Sequence, residues 1–194
     1  DLIENFFIRI LRGSGLNGMI SFDQKTNIQN INLIRPLIKF SKENLEYITK
    51  KVFKSYIEDP SNKNDEFKRV KIRNFIKNLE LEGLDKDKFN LTIKNLRFAN
   101  ESIKYFVEKN LKENSTISNI NEFVILNKNF FLQPEEVVFR SLTEVLKSVG
   151  KKYYPVRGKK IEKLIYQIKN DNSLMTTLGN CVIKKVNNSV IVSK

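Results

Sequence analysis

The first residues of the chain place carboxylates and guanidinium groups on one side of a predicted helix. Asp1, Glu4, Arg9 and Arg12 fall on the polar arc of a helix predicted over residues 2–12, whose remaining positions are mainly apolar. The acids can orient an amino-group nucleophile, and the arginines can neutralise phosphates or bind a carboxylate through two hydrogen bonds. A solvated helix face with ordinary ion pairs explains the same pattern, and residue types alone favour that explanation.

A glycine-rich loop, Arg12-Gly13-Ser14-Gly15 with Gly18 close behind, follows this helix. Its glycines are typical of positive φ angles or of close backbone approach at a helix end. A phosphate-binding loop normally precedes a helix N-terminus, whereas this one follows a helix and lacks the Lys-Ser/Thr pair of a P-loop. We therefore interpret it as a turn that shapes the backbone and carries one functional residue, Arg12.

Two further groups of basic residues can bind a phosphodiester backbone. Arg69 and Arg73 are four residues apart on a helix predicted from Glu66 to about Leu79, so they share one face of it. Arg157, Lys159 and Lys160 form the second group. Each group is equally consistent with a solvated surface.

Tyr153 and Tyr154 adjoin the second basic group. Aromatic side chains beside cations can stack on nucleic-acid bases. Such residues are more often found in interfaces or cores, so both interpretations stay open at this point.

The overall charge agrees with a polyanionic partner without requiring one. The 194 residues carry 35 basic and 22 acidic side chains, a formal net charge of +13. Lys and Arg gain free energy by releasing counterions from phosphates. The abundance of Lys, Asn and Ile is also typical of an AT-rich genome, so charge alone leaves RNA binding at even odds.

Several chemistries are excluded by composition. The chain has no His, which excludes Ser-His-Asp and Cys-His catalysis and any His-based zinc site within these residues. Cys181 is the only cysteine, so no intrachain disulfide forms and a reducing cytosol fits. No apolar run approaches the length of a membrane span, and no metal site is indicated.

Periodicity and capping residues predict mostly helix. Beyond the two helices above, we expect helices from Ser41 to about Lys54, from Lys86 to Lys112, from Pro134 to Val149 and from Lys159 to Lys169. Ile31–Ile34 is a predicted strand, and Cys181–Ile183 with Val190–Val192 forms a predicted hairpin around Asn187-Asn188. A second hairpin is predicted from Phe123–Leu126 and Phe130–Leu132, after a polar loop over 114–121.

Three motifs, in their order and spacing, resemble one enzyme family, the tRNA(Ile)-lysidine synthetases. They are Asp1-x-x-Glu4 with Arg9-x-x-Arg12-Gly13-Ser14-Gly15-Leu16-x-Gly18, then Arg35-Pro36-Leu37, then Asp59-Pro60-Ser61-Asn62 with Arg69 and Arg73. Val70 stands where this family has Asn in its last motif. Arg157-Gly158 and Thr177–Ile183 resemble the C-terminal region of alphaproteobacterial members more loosely.

The resemblance implies an ATP-dependent ligase that modifies the wobble cytidine of the isoleucine tRNA with a CAU anticodon. ATP adenylates the cytosine carbonyl oxygen, the ε-amine of lysine attacks the adjacent carbon, and AMP leaves to give lysidine. The substrates are therefore tRNA, lysine and ATP, and the chemistry needs Mg²⁺ and cations around the phosphates. No membrane is implied, and the expected location is cytoplasmic.

The resemblance also implies roles for individual residues. Asp1 and Glu4 would line the pocket for the lysine amine, and Arg12 would support substrate or phosphate charge. Arg69 and Arg73 would face the tRNA, so charge reversal of Arg73 is expected to abolish modification and leave the fold intact. The remaining assigned residues fall into two sets: Arg157, Lys159 and Lys160 in tRNA binding, and Gly13, Ser14, Gly15, Gly18, Asp59, Ser61 and Asn62 in structural loops.

The implied fold is mainly α with small β elements, an α+β chain. Residues 1–62 would be the C-terminal part of a PP-loop catalytic domain, 63–150 a helical linker and helical domain, and 151–194 a small basic α/β tail. The family's ATP-binding Ser-Gly-Gly-x-Asp-Ser loop is absent from these residues, and the first residue is not Met. We therefore expect a fragment that does not bind ATP productively by itself, with Mg²⁺ bound mainly elsewhere.

Two other functions remain open from the sequence. One is a non-catalytic helical RNA-binding module, and the other is a helical protein-interaction domain. RNA binding that weakens steeply with salt would distinguish the RNA-binding functions from the protein-interaction function.

Overall fold

The computed structural model of the chain describes residues 2–28, 31–55, 57, 67–118 and 123–194. The chain folds as two compact units, residues 1–100 and residues 101–194. Each unit combines helices with an antiparallel sheet, so the expected mixture of helices and small β elements is confirmed. The boundary predicted at residues 62–63 lies outside the described residues, and the three-part division stays a prediction.

The first unit contains five α-helices, one 3-10 helix and one hairpin among its described residues. Its elements are α1 (Leu2–Ile10), α2 (Leu16–Met19), β1 (Lys25–Ile28), β2 (Ile31–Ile34), a 3-10 helix (Pro36–Lys39), α3 (Lys42–Phe53), α4 (Lys68–Leu81) and the start of α5 (Lys86–Asn114). β1 and β2 pair in antiparallel register, with Lys25 opposite Ile34.

Aromatic packing on α1 forms the core of the first unit. Ile3, Phe6 and Ile8 of α1 are buried. The ring of Phe6 meets Phe89 of α5 edge-on at 5.3 Å between centroids, and Phe7 stacks on the same ring at 5.3 Å. Such aromatic pairs contribute beyond their buried area. Most of the apolar side of α1 is thereby covered, except at Ile10, and the polar side carries the residues of the first motif.

The second unit is a five-stranded antiparallel sheet with helices packed on one face. Its elements are the end of α5, β3 (Ser115–Ser118), β4 (Phe123–Leu126), a 3-10 helix (Lys128–Leu132), α6 (Glu135–Val149), α7 (Gly158–Asn170), β5 (Leu174–Leu178), β6 (Cys181–Val186) and β7 (Ser189–Ser193). The strand order is β3-β4-β7-β6-β5, so β4 pairs with the last strand of the chain.

Alternation along the strands explains which face of this sheet is covered. β7 alternates partly buried and buried residues, and Val190 and Val192 point to the core. They meet Leu142 and Leu146 of α6 and Ile161 of α7 in one apolar cluster. Strands buried on one face only are typical of antiparallel sheets.

Most of the predicted elements are confirmed. Ser41 caps α3, since its hydroxyl accepts a hydrogen bond from the backbone N–H of Asn44 at 3.1 Å. Pro134 precedes α6 as expected, and the hairpin of β6 and β7 turns at Asn187, whose φ is 53°. Glu66, the predicted first residue of the helix that contains Arg69 and Arg73, lies outside the described part of the chain.

Two predictions about residues 114–132 are wrong. Ser115–Ser118, expected to be loop, forms β3 at the sheet edge and pairs with β4. Phe130–Leu132, expected to be a strand, lies in a 3-10 helix because the Asn127 side chain accepts a hydrogen bond from the Phe130 N–H at 3.1 Å. β1 and β5 were not predicted as strands. Among the described residues, no helix combines the length and apolarity needed to cross a bilayer.

Candidate functional site

The structure brings together two of the predicted site residues, Glu4 and Arg73. Arg73 Nε donates to Glu4 Oε1 at 3.0 Å, and Arg73 Nη2 donates to Glu4 Oε2 at 3.3 Å. The two residues are 69 positions apart, and the packing of α1 against α4 places them side by side. This bidentate geometry fits the planar guanidinium to the carboxylate and fixes both side chains.

The environment of this pair favours the charged form of Arg73. The Glu4 side chain keeps 14% of its exposure and that of Arg73 keeps 33%. The hydrogen bond to Glu4, with the carboxylate charge, raises the pKa of Arg73 above its ordinary value, so the guanidinium stays charged. A carboxylate has about four lone-pair sites. Glu4 can therefore hold Arg73 and still accept hydrogen bonds from an ammonium group.

The glycine loop closes α1 with a defined C-terminal cap. The Ser14 N–H donates to the Arg9 carbonyl at 3.0 Å, and the Gly13 N–H donates to the Ile10 carbonyl at 2.8 Å. This is the pattern of a Schellman motif, in which Gly13 takes the left-handed position with a φ of +69°. A Cβ on Gly18 would lie 3.0 Å from Ser14 Cβ, so the next turn also approaches closely.

The segment after the cap differs from a phosphate-binding loop because only a very short helix follows it. Gly15 is the N-cap of α2, which has only four residues and no side-chain cap. Arg12 is exposed in the turn between the two helices. The loop therefore holds Arg12 at the surface of the first unit, just beyond the end of α1.

The other predicted residues of the first unit are exposed or outside the described residues. Arg69 is exposed on α4, one helical turn before Arg73. Asp1, Asp59, Ser61 and Asn62 lie outside the described part of the chain.

Arg157, Lys159 and Lys160 are brought together in the second unit, at the start of α7. Arg157 is the N-cap residue, and all three are exposed. The first turn of α7 contains no acidic residue. Cations at a helix N-terminus oppose the helix dipole, so an anion at this point would be stabilising.

One group of interacting residues in the first unit was missed by the sequence reasoning. Arg35 Nη1 donates to the Asp23 carbonyl and to Thr26 Oγ1, both at 3.0 Å, and its guanidinium lies 4.5 Å from the centroid of the Phe22 ring. Arg97 of α5 donates to the Phe22 carbonyl at 2.9 Å and lies 3.2 Å from Asp23 Oδ1. Arg35 was recognised as part of a motif, but Asp23 and Arg97 carry no local signal.

A metal ion would find few ligands in this part of the molecule. In residues 2–28, 31–55, 57, 67–118 and 123–194, no group of three His, Cys, Asp or Glu side chains is arranged to hold one. Cations outnumber carboxylates along the chain, which carries a net charge of +13. The predicted site residues that the structure describes can donate hydrogen bonds to anions, and Glu4 can accept them from ammonium groups.

Comparison with known proteins supports the resemblance drawn from the motifs. Residues 1–80 match the family model described as a PP-loop domain. The chain is 25% identical over 193 residues to the tRNA(Ile)-lysidine synthase of Wolbachia sp. subsp. Brugia malayi, covering 99% of this chain and 45% of that protein. It is 28% identical over 197 residues to the synthase of Orientia tsutsugamushi, covering 95% and 43%.

Similarity is stronger over a shorter stretch in another relative. The synthase of Francisella tularensis subsp. holarctica is 40% identical over 76 residues, which are 39% of this chain and 19% of that protein. The resemblance is thereby confirmed. The chain spans less than half the length of the relatives matched along nearly all of it.

Proposed function

We infer that this chain, which resembles the tRNA(Ile)-lysidine synthetases along nearly its whole length, forms part of an enzyme of that family. The observation that carries the proposal is similarity over 99% of the chain to a protein named tRNA(Ile)-lysidine synthase. The match of residues 1–80 to a PP-loop domain supports it. The activity is ATP-dependent ligation of lysine to a cytidine in the isoleucine tRNA.

The proposed reaction replaces the oxygen on the cytosine C2 in two steps. The cytosine carbonyl oxygen attacks the α-phosphate of ATP, and pyrophosphate leaves. The ε-amine of lysine then attacks C2, the C–O bond breaks, AMP leaves with that oxygen, and the amine loses a proton. Both steps concentrate negative charge on phosphates, which cations stabilise. Mg²⁺ would accompany ATP, and we assign no described residue of this chain to it.

Glu4 is proposed to receive the lysine ammonium group. The Arg73 guanidinium holds the Glu4 carboxylate in one orientation through two hydrogen bonds. A carboxylate fixed in this way loses little freedom when a second cation binds. Arg73 is therefore proposed as a positioning residue for Glu4, in place of the direct tRNA contact expected from the sequence.

Exposed cations are proposed to contact the tRNA backbone. Arg12 and Arg69 in the first unit and Arg157, Lys159 and Lys160 in the second are exposed. Contacts of this kind fix the orientation of a nucleic acid without reading its sequence. The recognition of the CAU anticodon belongs to the proposed enzyme as a whole.

The test is lysidine formation by a hybrid protein. Residues 1–194 replace the aligned segment of the Wolbachia synthase, and the hybrid is incubated with ATP, lysine and a transcript of the isoleucine tRNA bearing CAU. Lysidine is measured by mass spectrometry of the digested tRNA. We expect lysidine from the hybrid and much less from its Glu4→Gln variant, because Gln does not attract an ammonium group as a carboxylate does.

Two controls separate the alternatives. The 194-residue chain alone should form no lysidine, because it has no Ser-Gly-Gly-x-Asp-Ser loop. A folded hybrid that binds tRNA but forms no lysidine would contradict the proposal and favour a non-catalytic RNA-binding module. Lysidine formed at equal rates by the hybrid and its Glu4→Gln variant would contradict the role of Glu4.

A further inference from the structure

The second unit has an open depression lined by tyrosine and basic side chains. Its volume is about 430 Å³, and it is bordered by Tyr153, Tyr154, Lys152, Arg157 and Lys160. This volume lies within the range of about 300–1,000 Å³ typical of small-molecule sites. Among the described residues that line it, none is acidic.

The segment that carries the tyrosines is held in place at both ends. A Cβ on Gly150 would lie 2.8 Å from the Leu146 carbonyl oxygen and would collide with the Gly179 carbonyl oxygen. A Cβ on Gly179, whose φ is +67°, would lie 2.8 Å from Val156 Cγ2. The turn between β5 and β6 therefore packs tightly on both ends of residues 150–156. These contacts fix the two ends of the segment that borders the depression.

The two tyrosines present much of their ring surface to solvent. Tyr153 is 60% exposed and Tyr154 is 75% exposed. Their rings meet edge-to-face, with centroids 4.6 Å apart and planes at 71°. In this arrangement a ring face remains open beside the depression, and an aromatic base can stack on it.

Basic side chains surround the same space. Lys152, Arg157 and Lys160 border the depression, and none forms an ion pair with an acid of the described residues. Cations that are not used within the fold remain available to a phosphate group. The combination of an open aromatic face and adjacent cations matches the two parts of a nucleotide.

We propose that this depression binds an unpaired nucleotide of RNA, with its base on the Tyr153–Tyr154 pair and its phosphates against Arg157, Lys160 and Lys152. Bases in a duplex are already stacked and do not offer a free face, so the site selects single-stranded ends, bulges or loops. The assignment of this RNA as tRNA rests on the proposed function. The stacking site itself depends only on the residues described.

The test compares two RNA hairpins binding to the 194-residue chain. One is blunt, and the other has an unpaired 3′ tail of about four nucleotides that carries 2-aminopurine, a base whose fluorescence is quenched by stacking. Fluorescence anisotropy gives both dissociation constants at physiological salt. We expect tighter binding of the tailed hairpin and quenching of its 2-aminopurine on binding.

Substitution of the tyrosines isolates the stacking contribution. Tyr153→Leu with Tyr154→Leu should weaken binding of the tailed hairpin by about 5-fold or more and leave the blunt hairpin unchanged. Tyr153→Phe with Tyr154→Phe should retain the preference, because the rings remain. Tyr166→Leu, at a comparably exposed tyrosine of α7 outside the depression, is the matched control and should have no effect. Circular dichroism checks that each variant is folded.

Basic residues give an independent arm of the same experiment. Arg157→Gln with Lys160→Gln should weaken binding of the tailed hairpin more than Lys163→Gln, an exposed lysine of the same helix that does not border the depression. Equal affinity of the wild-type chain for both hairpins would overturn the proposal. An equal loss of affinity for both hairpins in the leucine variant would also overturn it. So would displacement of the tailed RNA by an acidic peptide whose binding needs the same tyrosines.

These outcomes are separable from those of the lysidine assay. A tail preference that depends on the tyrosines, together with no lysidine from the hybrid, would support the nucleotide site and contradict the enzyme. Lysidine from the hybrid without any tail preference would support the enzyme and contradict the nucleotide site.

Discussion

Replacing Arg73 with Met should destabilise the first unit, although the sequence alone predicts a surface residue that contacts tRNA. Met keeps much of the length of the side chain and removes the guanidinium group. Glu4, only 14% exposed, would then lose both hydrogen bonds, at 3.0 and 3.3 Å. A mostly buried carboxylate without a partner costs free energy because it is neither solvated nor paired.

The size of the effect follows from the exposure of the pair. A hydrogen bond to a charged group contributes about 1.5–3 kcal/mol. Because water screens this partly exposed pair, its two bonds together are taken at the value of one such bond at the low end of that range. We therefore expect a loss of about 1.5 kcal/mol in the free energy of unfolding of the first unit. For a unit of about 100 residues this lowers Tm by roughly 6–12 °C.

A double-mutant cycle with Glu4→Gln measures the interaction directly. Urea denaturation of the two single variants and the double variant should give a coupling energy of about 1 kcal/mol. Arg69→Met is the matched control on the same helix, because Arg69 is exposed and has no carboxylate partner among the described residues. It should change stability by less than about 0.5 kcal/mol while weakening tRNA binding.

The opposite pattern would refute this reasoning. If Arg73→Met keeps wild-type stability, shows no coupling to Glu4→Gln and still loses tRNA binding, then Arg73 contacts the tRNA directly. The ion pair would then contribute nothing measurable to the stability of the fold, which is also true of many exposed ion pairs.

Three further predictions concern the second unit. Asn110 donates to Ser141 Oγ at 3.1 Å and to the Phe130 carbonyl at 3.3 Å. Asn110→Leu should therefore lower the free energy of unfolding, measured by urea denaturation, by about 2–3 kcal/mol. Asn172→Leu, at an exposed position, is the control and should leave it unchanged. Lys185 Nζ donates to the Ile168 and Asp171 carbonyls at the C-terminus of α7, at 2.7 and 2.6 Å. Lys185→Met should therefore lower the free energy of unfolding by about 1 kcal/mol. Lys184→Met, at the exposed neighbouring position, is the control and should leave it unchanged. Burial raises the pKa of Cys181, so its thiol should alkylate far more slowly in the folded chain than in the chain unfolded in urea. The free energy of unfolding should also fall as the pH rises above the ordinary thiol pKa, because the unfolded chain releases that proton first.

Elements with local signals could be predicted from the sequence. The start of α3 is encoded by Ser41 and Asn44, and the β6–β7 turn by Asn187-Asn188, whose short polar side chains tolerate a left-handed backbone. Gly13 at the end of α1 is also encoded locally, since the Schellman cap requires its positive φ. In each case the determining contacts lie within a few residues.

Elements that depend on distant partners could not be predicted in this way. β3 has the polar sequence Ser-Thr-Ile-Ser and exposes Ile117, so its pattern resembles a loop, and only pairing with β4 makes it a strand. β4 in turn pairs with β7, the last strand of the chain, instead of with the segment that follows it. Strand pairing of this kind is fixed by tertiary packing, which local propensity does not record.

The candidate site also combines features that local sequence encodes with features that depend on distant residues. The residue types of the first motif could be recognised, but the partnership of Glu4 with Arg73 spans 69 positions and required the packing of α1 on α4. The ion pair of Arg97 with Asp23 is equally non-local. Sequence reasoning therefore identified which side chains are present and left open which of them are already used by the fold.

This distinction changes how the net charge of +13 should be interpreted. Arg73 and Arg97 hold carboxylates, and Arg35 and Lys185 hold backbone carbonyls, so these four cations stabilise the fold and are poorly available to phosphates. Exposed cations such as Arg69, Arg157 and Lys160 have no such partners among the described residues. Substitutions of the four cations used by the fold should change the free energy of unfolding and leave the salt dependence of RNA binding nearly unaltered. Each exposed, phosphate-binding cation that is removed should instead reduce the slope of log K against log salt by about 1. The composition of an AT-rich genome predicts no such division, because it adds lysines without regard to their partners. A salt slope that responds only to the exposed group would therefore establish RNA binding as a property of particular residues and not of the bulk charge.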